Sequence, residues 1–184
     1  GIFASWKIAC IGWIFFCLIL AGPAAAQDNP AGKVVHLRGQ VDIQTGKDQS
    51  WQKAQINQTI EAGTTIRTGN NGWAAVLLAD ETLLQINNNS RFVLSEVLPN
   101  AGWQKIWGTF KDAGAKGRSL YKLLQGELWI RNKNRDVQIE VDTPTAVCGV
   151  RGTEMNVRIA ADDTVTLTVL EGRVQASNEQ GSLD

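Results

Sequence analysis

Histidine is nearly missing from this chain: 184 residues carry one, His36. Ser-His-Asp triads and Cys-His pairs both take their base from histidine. His36 stands between Val35 and Leu37 in an alternating stretch, the setting of a surface strand residue rather than a base. Cysteine is almost as scarce. Cys10 and Cys17 fall in an apolar N-terminal run, and Cys148 stands alone downstream. Zinc sites need clusters of cysteine and histidine that are not here. With Cys148 the last cysteine after export, no intrachain disulfide can form, so the core must hold the fold and the lone thiol belongs inside it. Charge of one sign is also lacking, since 18 Lys and Arg balance 18 Asp and Glu. That removes the electrostatic reason to expect nucleic acid. The glycines follow no phosphate-loop spacing. Asp80-Glu81 and Asp162-Asp163 are neighbours on the chain, which seldom converge on one reacting atom, so they read as turn residues. No catalytic, cofactor-binding or metal-ligating residue is expected.

Long hydrophobic runs are limited to one. Ile8 to Leu20, "IACIGWIFFCLIL", follows Lys7 and precedes Gly22-Pro23 and Ala24-Ala25-Ala26. A charged start, a short apolar stretch and an Ala-x-Ala site make a secretory signal. Residues 1–26 are expected to be the signal peptide, cut between Ala26 and Gln27. The run is short for a span, which needs roughly 20 residues. An uncleaved anchor is the alternative and the one route to membrane contact. The exported part, 27–184, has the size of one domain, placed in the periplasm or outside the cell.

What is abundant is β pattern. "KVVHLRGQVDIQT" holds two β-rich runs around Gly39, with Val41 and Ile43 opposed to Asp42 and Gln44. That is the period of a half-buried strand. "WAAVLLADETLLQIN" is two apolar runs broken at Asp80-Glu81, which predicts a hairpin. "SRFVLSEVL", "ELWIRN", "VQIEVDT", "EMNVRIA", "TVTLTVLEG" and "RVQAS" continue the theme. The expectation is an all-β fold, a mostly antiparallel β-sandwich or β-roll of short strands. "RGQVDI", "QGELWI" and "EGRVQA" each place a glycine (Gly39, Gly126, Gly172) before a strand, and each glycine reads as a turn.

One segment departs from this. Within Asn100 to Lys122, Trp103, Ile106, Trp107 and Phe110 fall on one face of a helix, but Gly102, Gly108, Gly114 and Gly117 oppose a stable one. Between Ala101 and Lys122 five residues are basic and one is acidic. Residues 100–118 read as a Trp- and Lys-rich insertion, partly helical, whose aromatics pack on the sheet. Its sharper reading is a partner contact through Trp103, Trp107, Phe110 and Arg118.

Spread along the chain in order are "GQVDIQ", "IEAGTTIRTGNNGWAAVLLADETLLQINNNSRFVL", "LLQGELWI", "VDTPTAVCGVRGTEMNV" and "VTLTVLEGRVQAS". The most specific elements are G-x-x-I-R-T-G at Gly63 to Gly69, N-S-R-F at Asn89 to Phe92, and T-P…R-G-T-E at Thr143 to Glu154. With these the exported chain resembles the FecR domain over nearly its whole length. Glu81 stands where a turn glycine is common in that family, Met155 where an aromatic is usual, and Cys148 where a small residue is usual. The resemblance implies a bacterial envelope protein that binds other proteins in signalling, sensing or scaffolding. Sigma-factor regulators of this family carry a cytosolic helical region, so that role is expected only if such a part precedes the sequence given. The alternative is a glycan or envelope-polymer binding module, with Trp51, Trp73, Trp103 or Trp107 stacking on sugars.

The Thr143 to Glu154 stretch reads as architecture. Pro144 fixes φ, lacks a donor and keeps Thr143 extended, so Thr143-Pro144 ends a strand. "TAVCGV" suits a passage through the core between layers. Gly152 permits a turn or close approach, the Thr153 hydroxyl can bond local backbone, and Arg151 can tie a buried carbonyl or carboxylate.

Overall fold

A computed structural model describes residues 30–46, 48, 50–97, 118–178 and 181–183. The signal segment 1–26 lies outside them. So do residues 98–117, and with them the expected helical face of Trp103, Ile106, Trp107 and Phe110.

The described residues form thirteen strands and no helix. These are β1 (Pro30–Arg38), β2 (Val41–Gln44), β3 (Gln52–Lys53), β4 (Thr59–Glu61), β5 (Thr64–Thr68), β6 (Trp73–Leu78) and β7 (Leu83–Ile86). They continue with β8 (Arg91–Glu96), β9 (Arg118–Arg131), β10 (Gln138–Asp142), β11 (Val147–Ile159), β12 (Val165–Asn178) and β13 (Gly181–Leu183). The hairpin expected at Asp80-Glu81 is β6–β7, paired from Ala74↔Ile86 to Leu77↔Leu83. All strands join one hydrogen-bonded network, antiparallel except for the β9–β10 pair.

Most strands are short, but β9, β11 and β12 run 13 or 14 residues. Each serves both layers of a sandwich. The first half of β9 lies between β8 and β10, and its second half between β7 and β11. The first half of β11 pairs with β10 and its second half with β9, while β12 follows it throughout. One layer is thus β4-β1-β6-β7 continued by the C-terminal half of β9 and of β11 and the start of β12. The other is β3-β2-β5-β8, the N-terminal half of β9, β10, the start of β11 and the end of β12, with β13 at its edge.

A glycine with positive φ marks each crossing: Gly126 (89°), Gly152 (55°) and Gly172 (93°). The inward-facing positions change parity there. Tyr121 and Leu123 face the core before Gly126, and Leu128 and Ile130 after it; Cys148 and Val150 precede Gly152, and Met155, Val157 and Ile159 follow. A single extra residue bends a strand and re-aims its side chains, so one strand keeps its apolar face inward in both layers. At Gly126 a Cβ would lie 2.6 Å from Ser90 Cα and 2.7 Å from Asn89 O, which adds a steric demand for glycine. The Gly126 and Gly172 read as turns are therefore bends inside continuous strands. Gly39 (φ 65°) does separate two strands, and β1 and β2 likewise belong to different layers.

The bends also explain the parallel pair. A parallel connection ordinarily needs about a dozen residues or more, yet six lie between β9 and β10. They suffice because β9 bends at Gly126, so that Asn132, just past its end, shares one hydrogen-bonded cluster with Ser119 and Tyr121 near its start. Between the layers sits one core that includes Val34, Ile43, Ile66, Val76, Leu84, Ile86, Phe92, Tyr121, Leu128, Ile139, Met155 and Val157.

Candidate functional site

The Thr143–Glu154 stretch is a turn followed by a bent strand. Thr143 N–H donates to Ala146 O at 2.9 Å, and the Thr143 hydroxyl bonds both the carbonyl and the amide of Ala146 at 2.7 and 3.0 Å. Thr143 is buried and Pro144 exposed, so β10 ends where the proline was expected to end it. "TAVCGV" does not pass between layers. From Val147 it is β11, one strand of a single layer with Cys148 and Val150 facing in. The crossing comes later, at Gly152-Thr153. Gly172 packs across it, where a Cβ would meet Gly152 O and Thr153 Oγ1 at 2.7 Å each. The buried Thr153 hydroxyl donates between the carbonyls of Arg151 (3.0 Å) and Arg173 (3.2 Å). Arg151 does tie a carbonyl, Arg135 O at 2.7 Å from its Nε, but at the exposed surface rather than inside.

A buried polar cluster escaped the sequence reading. Asp80 is fully buried. Its Oδ2 accepts from Ser119 Oγ at 2.6 Å and from Tyr121 OH at 2.8 Å, and its Oδ1 accepts from Thr82 N–H at 2.9 Å. Thr82 Oγ1 lies 3.4 Å from Tyr121 OH and accepts from Asn132 Nδ2 at 2.7 Å. Ser119 and Tyr121 lie in the first half of β9, and Asn132 just follows its end, so the cluster pins the two ends of the bent strand together. Burial, then the charge of Asp80, pushes the Tyr121 phenol well above its ordinary range. Asp80 is the turn residue its sequence context predicts, through its bond to Thr82 N–H, and its second oxygen serves the core.

His36 is exposed on β1, whereas Cys148 is fully buried, its thiol pushed by desolvation up to about 11. The two share no site. Among the described residues, no group of three or more His, Cys, Asp or Glu is gathered in metal-binding range.

Two surface features remain. The first is the outer edge of β12. β13 covers only Ala176 to Asn178, and no other described strand pairs with β12 on that side. Val169 and Leu170 on this strand are 44% and 61% exposed. The second is a hollow of about 660 Å³ lined by His36, Arg38, Asn71, Trp73, Asn87 and Asn88 among others. Trp73 and Trp51 are both half-buried, and the Trp51 ring is covered by Arg67, whose Cζ stands 4.1 Å from its centroid. Of the expected partner contacts, Trp103, Trp107 and Phe110 lie outside the described residues, and Arg118 opens β9 opposite Gln138.

By fold this is an all-β domain: one mixed sheet, bent at glycines and closed over a single core. A model of the FecR protein family matches residues 64–175, more than half of the chain. The chain belongs to that family. No curated protein matches it. Two crystal structures of a candidate anti-sigma factor from Parabacteroides distasonis are similar at 16% identity and a TM-score of 0.49, over 65% of this chain and 49% of theirs, so this chain spans about half the length of that protein. A structure described as a cell surface anchoring domain is similar at 21% identity and a TM-score of 0.35, over 46% of this chain and 99% of that one.

Proposed function

We propose that this chain is an exported, non-catalytic domain that recognises a protein partner in the bacterial envelope and serves signalling, sensing or scaffolding. Membership of the FecR family supports signalling as the context. Control of a sigma factor would require a cytosolic part preceding the sequence given.

The observation that carries recognition is the open edge of β12. From Val165 to Gln175 the edge meets no partner strand among the described residues, and Leu170 is the most exposed large apolar side chain among them. A row of unpaired N–H and C=O groups is a template for a partner's strand, with backbone bonds giving affinity and neighbouring side chains specificity. The insertion aromatics Trp103, Trp107 and Phe110 are the second candidate contact.

The test is affinity capture from envelope extracts of the source cell with three immobilised forms: wild type, Leu170→Lys, and the Trp103→Ala/Trp107→Ala double variant. A discrete partner held by the wild type and lost from Leu170→Lys is expected. Equal recovery by wild type and Leu170→Lys would sink the edge as the contact. Loss from the tryptophan double variant alone would move the contact to the insertion.

A further inference from the structure

We propose that the hollow walled by Trp73 and His36 is a binding site for a short oligosaccharide, separate from the exposed middle of β12. Its volume, about 660 Å³, falls in the range of roughly 300–1,000 Å³ usual for small-ligand sites.

Sheet register builds the site. His36 and Arg38 on β1 stand opposite Ala75 and Trp73 on β6, and Gln85 on β7 stands opposite Ala75. Arg38, Trp73 and Asn87 therefore follow one another across the outer face of this layer. The His36 and Trp73 rings pack beside each other, with centroids 6.4 Å apart and planes tilted by 40°. An aromatic face beside polar atoms suits the apolar C–H face and the ring hydroxyls of a pyranose.

Among the described residues, each amide around it is bonded at one side-chain atom and not at the other. Asn71 accepts from Gln40 N–H through Oδ1 at 3.4 Å, which leaves its amide hydrogens. Asn87 accepts from Gln85 Nε2 through Oδ1 at 3.1 Å, and again the hydrogens remain. Asn88 donates through Nδ2 to Asn70 O at 3.4 Å, which leaves its carbonyl oxygen. The site thus presents amide donors and an amide acceptor together, the complement of a row of hydroxyls, each of which both donates and accepts. Among the described residues no carboxylate lines this hollow, so it does not offer a site for a bound cation. At Asn88 it meets a second hollow of about 590 Å³ whose lining includes Gln125, Glu127 and Arg158.

The probes are cello-oligosaccharides, chito-oligosaccharides and soluble peptidoglycan fragments, titrated into the purified domain and followed by tryptophan emission and calorimetry. Binding of at least one class to the wild type is expected, weakened about tenfold or more by Trp73→Ala. Should that variant fail to fold, Asn88→Ala and His36→Ala, both at exposed positions, take its place and are expected to weaken the same titration severalfold. Leu170→Lys is expected to bind the sugar as the wild type does, so loss of the strand-edge reading leaves this one standing. The proposal is overturned if no probe binds the wild type, or if folded Trp73→Ala and Asn88→Ala variants bind as tightly as it does.

Discussion

Tyr121 reaches across 41 positions of sequence to donate its hydroxyl hydrogen to Asp80 Oδ2 at 2.8 Å, inside the core. With Ser119 it supplies the side-chain donors of a carboxylate that no solvent touches. Removing one donor leaves a buried acceptor short of a partner, which is costlier than never having buried it. Tyr121→Phe is therefore expected to destabilise the domain by about 1–3 kcal/mol, read as a fall in the urea midpoint. A change too small to measure would show that the cluster does not pin the ends of β9.

Stability should fall in alkali in two stages. Burial raises the Cys148 thiol from 9.0 to about 11. The folded chain keeps a proton that the unfolded chain releases above about pH 9, so this contribution is whole below pH 9 and is lost as pH rises from there toward 11. Tyr121, raised from 10.0, adds a loss in the same direction above pH 10. Between pH 9 and 10 Cys148 acts first, so Cys148→Ala is expected to lose less stability over that interval than the wild type. Parallel urea midpoints for the two proteins at pH 7 and 9.5 would contradict this.

Two glycines in long strands should respond oppositely to alanine. Gly126→Ala must accept a left-handed backbone and a Cβ against Ser90 and Asn89, an expected loss of at least about 1–3 kcal/mol. Gly149 has no such φ, and a Cβ there would meet nothing nearer than Gln175 O at 3.8 Å. Gly149→Ala is expected to be neutral or to stabilise by about 0.4–1 kcal/mol. Thermal melting of both variants checks the contrast.

Glu81 holds φ at 67° in the β6–β7 turn, exposed and without a glycine's freedom. A left-handed L-residue costs about 1–2 kcal/mol, part of which glycine gives back as unfolded-chain entropy. Glu81→Gly is expected to raise the melting temperature slightly, with the fold unchanged. A lower melting temperature would show that the Glu81 side chain has a role of its own.

Export should leave a mature chain beginning at Gln27. N-terminal sequencing of the protein from the periplasmic fraction checks this. A membrane-bound form that keeps residues 1–26 would replace the signal peptide with an anchor.

How far these features could be read before folding depended on range. The β6–β7 hairpin was legible because both strands keep period two and a turn pair separates them. Glycines at 126 and 172 were visible, but a bulge inside a strand and a turn between strands look alike when each resets the alternation. Leu123 and Leu128 face the same core only because β9 bends, and nothing between them in sequence says whether the chain continues or reverses. "TAVCGV" was misplaced for a related reason: small apolar residues suit a crossing and a buried strand equally. Asp80 looked like a turn residue because its nearest partner, Thr82, is local, while Ser119 and Tyr121 arrive from 39 and 41 positions away. The Trp73 hollow depends in the same way on Asn87 and Asn88 arriving beside β1.

By itself the sequence determined that this domain is built of strands on one apolar core, because alternation and turn chemistry act within a few residues. It also determined the family, through motifs spaced along the chain. Tertiary structure alone decided which strands cross between layers, that Asp80 is held inside by Tyr121, and that, among the described residues, most of the outer edge of β12 meets no partner strand. Those are consequences of non-local pairing: burial and edge exposure depend on which distant strand lies alongside, and that choice is made by the whole core at once.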